Sequence, residues 1–130
     1  MRKKDDSLVF FGRGQSVSVV VLLIHGLGGT PLELKTVARG LAAQGFMVSC
    51  CQLPGHCGTI EDLLSTRWED WYAGAEKKLD ELSNRCQTIV VGGLAIGAIL
   101  ALRLAALNHS RLDGLSPFGQ NHWHDGVEMT

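Results

Sequence analysis

The sequence predicts an α/β fold in which a mostly parallel sheet is flanked by helices. Residues 17–24 and 88–92 are short runs rich in β-branched residues and leucine, as in strands that are buried on both faces of a parallel sheet. Helical patterns alternate with these runs, which is typical of a parallel α/β sheet. The chain has 130 residues, enough for one small domain, and we expect a single domain over 1–130.

The first half of the chain is expected to contain two further strands and one helix. Strands are predicted at 7–11 and at 46–52. A helix is predicted from Thr30 to about Gln44, because Thr30 can cap its N-terminus and Glu33 can complete a capping box.

The second half continues the alternation. A short helical turn is predicted at 59–64, and Thr66 with Glu69 forms the pattern of a second capping box. Apolar residues then recur at helical spacing, namely Trp68, Trp71, Tyr72, Ala75, Leu79 and Leu82. Such a stripe is more often the face that packs on a sheet than a platform for a ligand. A helix at 96–107 and a strand at 112–116 complete the pattern.

Composition argues against several classes of partner. The net charge is −1 and no block of basic residues occurs, which disfavours nucleic acid and anionic membranes as partners. No apolar run approaches the roughly 20 residues that a membrane-spanning helix needs. Met1 to Asp6 carry charge but no adequate hydrophobic segment follows them, so we expect no signal peptide.

The cysteines do not form a metal-binding or redox motif. They stand at Cys50, Cys51, Cys57 and Cys86, without a Cys-x-x-Cys pair. Cys50 and Cys51 are adjacent, so in a strand they would point to opposite faces. We therefore expect reduced thiols in a cytoplasmic protein, with no metal and no cofactor.

The segment with the most functional information is the glycine-flanked turn that follows strand 88–92. Gly93 and Gly97 bracket Ala95, which is the frame of the Gly-x-Ser-x-Gly nucleophile elbow. In that motif a serine stands at the tip of a strained turn between a strand and a helix. Here the tip residue is alanine, which lacks the nucleophilic oxygen.

Two other structures are compatible with this turn. Gly92 and Gly97 have the spacing of a phosphate-binding loop, which would make the chain a small nucleotide-binding domain. The Lys-Ser/Thr pair of that motif is absent, because Ala98 and Ile99 stand in its place. The other alternative is a strand–helix turn whose small residues serve packing only.

A second motif follows the buried strand at 17–24, in the segment His25-Gly26-Leu27-Gly28-Gly29. With Leu53-Pro54-Gly55-His56 and the turn at 93–97, this segment resembles the amino-terminal half of an α/β-hydrolase, similar to bacterial carboxylesterases and monoacylglycerol-lipase-like enzymes. The resemblance covers most of 17–116. It departs from the family at Cys57, where a glycine often follows the histidine.

The resemblance implies a truncated α/β-hydrolase core whose substrate is a small-molecule ester. The backbone N–H groups of Leu27 and Ile96 would form the oxyanion hole, and Ala95 would occupy the nucleophile position. His25 and Gly26 would supply the supporting loop through the backbone, and the His25 side chain would be structural.

The resemblance also implies that the acid and the histidine of the triad follow later in the chain than any segment present here. As written, the chain is therefore expected to be inactive. Ala95 would be either an engineered knockout or a natural loss. The alternative function is that of a non-catalytic hydrolase remnant, acting as a binding or interaction protein.

Other nucleophiles and ligands are less favourable candidates. Residues 117–130 are expected to form an irregular tail, in which His122 and His124 lack an evident third metal ligand. Cys57 has no positioned base in the sequence. A sheet that stops after the strand at 112–116 would leave an apolar edge, which favours self-association.

Overall fold

The part of the chain that the structure describes contains seven strands and four helices. The computed structural model describes residues 6–12, 19–86 and 88–108, together with the backbone of the strands at 114–117, 122–124 and 127–129. The strands are β1 (Leu8–Phe10), β2 (Val19–Ile24), β3 (Met47–Cys51), β4 (Thr88–Gly93), β5 (Gly114–Pro117), β6 (His122–His124) and β7 (Val127–Met129). The helices are α1 (Lys35–Ala43), α2 (Ile60–Leu64), α3 (Trp68–Ser83) and α4 (Ile96–Leu107), with a 3₁₀ turn at Pro31–Leu34 before α1.

Strands β1 to β5 form one sheet in the order β1-β3-β2-β4-β5. Strand β1 is antiparallel to β3, and the other pairs are parallel. The predicted α/β class and mostly parallel sheet are therefore confirmed. Strand β2 is central, and all but its first residue is buried, as its run of β-branched residues and leucines predicts.

The sheet is packed on both faces. Val20, Leu22 and Ile24 of β2 face one apolar core, which α3 and α4 cover. Val21 and Leu23 face a second core on the opposite side, which α1 covers. This alternation explains why β2 reads as a continuous apolar run and not as a pattern of period two.

The adjacent cysteines divide between the two cores, as predicted. Cys51 belongs to the core under α3, whereas Cys50 belongs to the core under α1. Burial raises the pKa of Cys50 to about 11 and that of Cys51 to about 12. Both thiols are therefore protonated and unreactive near neutral pH.

The capping box predicted at Thr30 is wrong. Thr30 Oγ1 accepts a hydrogen bond from the backbone N–H of Leu32, and the first turn is 3₁₀ before α1 begins at Lys35. Glu33 does not reach back to Thr30, because its carboxylate accepts a hydrogen bond from the backbone N–H of Gly26. The N–H of Gly26 in the loop thus takes the place of the N–H of Thr30 as the donor to Glu33.

The second capping box is displaced by one residue. The backbone N–H of Arg67 donates to Asp70 Oδ2 at 2.9 Å, so Arg67 is the N-cap of α3. Thr66 Oγ1 instead accepts from Trp71 Nε1 at 2.8 Å. The short helix α2 lies where a helical turn is predicted. At its N-terminus, Thr59 and Asp62 form a complete capping box.

The apolar stripe of α3 packs as predicted over most of its length. Ala75, Leu79 and Leu82 are buried, and Trp71 and Tyr72 are partly buried against them. Trp68 is the exception, since it is 44% exposed at the first turn of the helix. The guanidinium of Arg103 lies 5.1 Å from its ring.

Residues 117–130 were expected to form an irregular tail, but two short strands lie within this segment. Pro117 ends β5, and β6 and β7 form a short antiparallel pair in which His124 is opposite Val127. Asp125-Gly126 separates these strands in the sequence, and Asp-Gly is a strong signal for a two-residue hairpin. In the described part of the chain, no helix has the length and hydrophobicity to cross a membrane.

Candidate active site

The parallel register brings three loops together at one edge of the sheet. Ile24 at the end of β2 pairs with Cys51 of β3 on one side and with Gly93 of β4 on the other. The loops after β2, β3 and β4 therefore begin at the same level. Ligand sites of open α/β sheets lie at this carboxyl edge.

The turn between β4 and α4 has a strained tip. Ala95 is the N-cap of α4 and has φ 56° and ψ −120°. A positive φ is uncommon for a residue with a Cβ, and such a conformation costs about 1–3 kcal/mol. The turn is closed by hydrogen bonds from the N–H of Gly97 to the carbonyl of Leu94 and from the N–H of Ala98 to that of Ala95, both 2.9 Å.

Gly93 and Gly97 are required because the backbone passes too closely for a side chain. A Cβ on Gly93 would overlap the backbone of Gly97. A Cβ on Gly97 would overlap the carbonyl oxygens of Ile24 and His25. The first turn of α4 therefore packs directly on the end of β2, which the hydrogen bond from the N–H of Leu94 to the carbonyl of Ile24 at 3.0 Å reinforces.

The loop after β2 lies against this turn. A Cβ built on Gly26 would stand 3.4 Å from the carbonyl oxygen of Leu94 and 3.5 Å from the Cβ of Ala95. The loop closes on itself through a hydrogen bond of 3.0 Å from the N–H of Gly29 to the carbonyl of Gly26. The two motifs singled out in the sequence are thus neighbours in the fold.

Leu27 and Ile96, the residues predicted to form an oxyanion hole, lie in the loop after β2 and at the start of α4. Leu27 follows Gly26 in the loop and its side chain is exposed, whereas Ile96 is the first residue of α4. Among the described residues, neither N–H has an acceptor within hydrogen-bonding distance. Free N–H groups at a helix N-terminus favour negative charge nearby.

His25 is buried and joins two loops through its ring. Its Nε2 accepts from the backbone N–H of Leu53 at 3.0 Å, so the ring proton is on Nδ1, which donates to the carbonyl of Gly26 at 2.8 Å. Burial is the main cause that lowers the pKa of His25, and the nearby ring of His56 acts in the same direction. With both nitrogens engaged and the ring neutral, His25 is not available as a catalytic base.

His56 is the second buried histidine of this edge. Its Nδ1 donates to the carbonyl of Pro54 at 3.0 Å, and its ring packs 4.9 Å from that of His25 and 5.5 Å from that of Trp71. Among the buried side chains described, its Nε2 lacks a hydrogen-bond partner. The adjacent Cys57 has φ 65°, a conformation that glycine adopts more readily than cysteine.

A small pocket lies at this edge of the sheet. A pocket of about 130 Å³ opens beside the loop after β2 and is lined by Gly28, His56, Cys57 and Ile60 among others. Ligand pockets are usually about 300–1,000 Å³. In the described part of the chain, no group of three or more His, Cys, Asp or Glu side chains is placed to hold a metal ion.

Sequence reasoning missed one charged residue at this site. The sequence predicts a helix-capping role for Glu33, yet its carboxylate accepts a hydrogen bond from the loop after β2. The signal that could have located it is the pair Gly26 and Gly29, since closely spaced glycines indicate that another group approaches the backbone.

Comparisons with known proteins identify the family. No family model matches the chain. It is 40% identical over 99 residues to the thermostable monoacylglycerol lipase of Bacillus sp. strain H-257, which covers 76% of this chain and 39% of that protein. It is 31% identical over 85 residues to a carboxylesterase of Bacillus subtilis strain 168, which covers 65% of this chain and 35% of that protein.

Solved structures agree. A structure from a study of LipS and LipT, two metagenome-derived lipolytic enzymes, matches with a TM-score of 0.77 and 28% identity over 85% of this chain and 44% of that one. The chain belongs to the α/β-hydrolase family. It spans less than half the length of these relatives.

The close approach at Gly97 can be tested by substitution. Gly97→Ala is expected to destabilise the fold by about 3 kcal/mol, because its Cβ would meet backbone that cannot move independently. Gly40→Ala is the matched control, since Gly40 lies inside α1 with nothing within 4 Å of an added Cβ. That change is expected to stabilise by about 1 kcal/mol. Urea unfolding measures both, and equal effects would contradict the packing described.

The neutral state of His25 predicts a pH dependence of stability. The unfolded ring takes up a proton near its ordinary pKa of 6.5, whereas the folded ring does so only at lower pH. Stability from His25 is therefore complete above about pH 6.5 and is lost as pH falls toward the folded pKa. Imidazole ¹⁵N NMR should show a neutral ring with its proton on Nδ1 at pH 6.5. A ring that is already half-protonated at that pH would contradict this.

Proposed function

We propose that this chain carries the ester-binding and oxyanion half of a carboxylic-ester hydrolase site and lacks the groups that perform the chemistry. The observation that carries the proposal is the φ of 56° at Ala95, in a glycine-flanked turn against the loop after β2. A serine at this tip would stand in the nucleophile elbow of the family. The substrate class would be a small-molecule ester.

The backbone N–H groups of Leu27 and Ile96 would bind the developing negative oxygen of an ester carbonyl. Their lack of another acceptor and their place on two adjoining loops support this role. One such donor contributes about 3–4 kcal/mol of transition-state stabilisation in known hydrolases. Gly26, Gly93 and Gly97 would keep the two loops in contact.

Turnover by these 130 residues is not expected. Ala95 provides no attacking oxygen. Both ring nitrogens of His25 are hydrogen-bonded, and the unbonded Nε2 of His56 is buried, so neither histidine presents an accessible base.

We also propose one partial hydrolase domain over the whole chain. A cytoplasmic location is favoured by four cysteines that are all free thiols. A nucleotide site at Gly92 to Gly97 is disfavoured, because Ala98 and Ile99 replace the residues that bind phosphate and magnesium.

A second candidate function is interaction with another copy of the chain. Helix α4 exposes Ile99 to 60%, Leu102 to 38% and Leu107 to 59%, and a helix that is apolar on all sides is normally covered. Strand β5 ends the five-stranded sheet and is hydrogen-bonded to β4 on one side. Exposed apolar residues on such a helix favour contact between identical chains.

The oxyanion proposal predicts a difference between serines at two positions. Ala95→Ser is expected to be acylated by p-nitrophenyl butyrate about a hundredfold faster than Ala106→Ser, a control serine on the exposed face of α4. Mass spectrometry of the intact protein detects the acyl group. The unmodified chain should show neither acylation at residue 95 nor turnover.

Two results would overturn the proposal. Equal acylation of the two serine variants would remove the oxyanion role. Sustained hydrolysis by the unmodified chain, lost in Leu27→Pro because proline has no N–H, would show that the chain is active without a serine at 95.

Self-association can be tested on the same preparations. Light scattering over a range of concentrations should show dimers or larger species of the unmodified chain. Leu102→Lys is expected to shift them toward monomer, because it places a charge in the apolar face of α4. Leu64→Lys is the control, since Leu64 is 77% exposed on α2. A monomer at every concentration would contradict this second function.

A further inference from the structure

Glu33 places its carboxylate against the backbone of the loop after β2. It lies in the 3₁₀ turn at Pro31–Leu34, and its Oε1 accepts a hydrogen bond from the backbone N–H of Gly26 at 2.5 Å. A carboxylate is a stronger acceptor for a backbone N–H than a neutral oxygen. Thr30 already caps the turn through the N–H of Leu32, so Glu33 is not needed for capping.

Gly29 shows how closely the carboxylate fits the loop. A Cβ on Gly29 would overlap both oxygens of Glu33. The φ of Gly29 is not in the left-handed region, where the described glycines with positive φ are Gly28, Gly45 and Gly55. The close fit at position 29 therefore comes from the carboxylate and not from the backbone conformation, and a Cβ there would displace the carboxylate.

The hydrogen bonds around Gly26 fix the direction of the next N–H group. The carbonyl of Gly26 accepts from His25 Nδ1 and from the N–H of Gly29, and its N–H is held by Glu33. Because a trans peptide unit is planar, the N–H of Leu27 must point away from the carbonyl of Gly26. The bonds to the Gly26 carbonyl therefore aim the N–H of Leu27. Glu33 holds the preceding peptide unit and so restrains rotation about the backbone of Gly26.

We propose that Glu33 is a positioning residue of the oxyanion loop, whose carboxylate anchors Gly26 and so holds the N–H of Leu27 free and directed out of the loop. This inference rests on the proposed function for the meaning of that N–H. The anchoring itself is independent of it. His25 and the N–H of Gly29 hold the Gly26 carbonyl, so Gly26 is restrained in both of the peptide units that flank it.

Amide hydrogen exchange tests the anchoring directly, by NMR on the whole chain without a ligand. Glu33→Ala should speed exchange of the Gly26 N–H by about tenfold or more, because its acceptor is removed. Glu33→Gln keeps an acceptor oxygen and should restore most of the protection. Glu61→Ala removes an exposed acid from the first turn of α2 and should leave the Gly26 N–H unchanged.

A double-mutant cycle separates positioning from general stability. Gly29→Ala should reproduce the effect of Glu33→Ala, since the new Cβ displaces the carboxylate. In the Glu33→Ala background the same change should have no further effect on Gly26, because nothing remains to be displaced. Exchange in α1 should be unaltered in all four proteins.

Unchanged exchange at Gly26 in Glu33→Ala would overturn the proposal, as would additive effects in the cycle or failure of Glu33→Gln to restore protection. These outcomes are separate from those of the acylation experiment. A loop that loosens in Glu33→Ala while serine at 95 is not acylated supports anchoring and refutes the ester site. The reverse pair of results refutes anchoring alone.

Discussion

The contact of Gly97 with the carbonyl oxygens of Ile24 and His25 is the constraint on which the site depends. It brings the first turn of α4 onto the end of β2, so the strained tip at Ala95 and the loop after β2 become neighbours. Parallel pairing of β2 with β4 sets the level at which this happens, since Ile24 is paired with Gly93. A side chain at 97 would separate the two loops.

This packing also explains how Ala95 keeps a strained backbone conformation. The conformation of Ala95 costs free energy, and alanine gains nothing chemical from it. The turn is held by the hydrogen bond of Leu94 to Ile24 and by the N-terminal hydrogen bonds of α4. The surrounding core therefore imposes the geometry, whichever small residue stands at the tip.

Most of the fold could be predicted from the sequence because its signals are strong and local. The apolar run of β2 and the glycine frame around Ala95 lie within a few residues each. The caps were less predictable, because Thr66 and Arg67, or Gly26 and Thr30, offer competing partners of similar strength. Only the tertiary fold decides that Glu33 serves a loop seven residues earlier in the chain. The two glycine motifs of the candidate site, at 25–29 and 93–97, are visible in the sequence. The hydrogen bond of Glu33 to Gly26 is not.

The loop after β2 is organised before any ligand arrives. His25 and Glu33 hold opposite sides of Gly26, one through the carbonyl and the other through the N–H. Free N–H groups held in this way cost little reorganisation when negative charge develops, which is the physical basis of oxyanion stabilisation. Under the proposed function, these residues would supply the oxyanion half of an ester-hydrolase site.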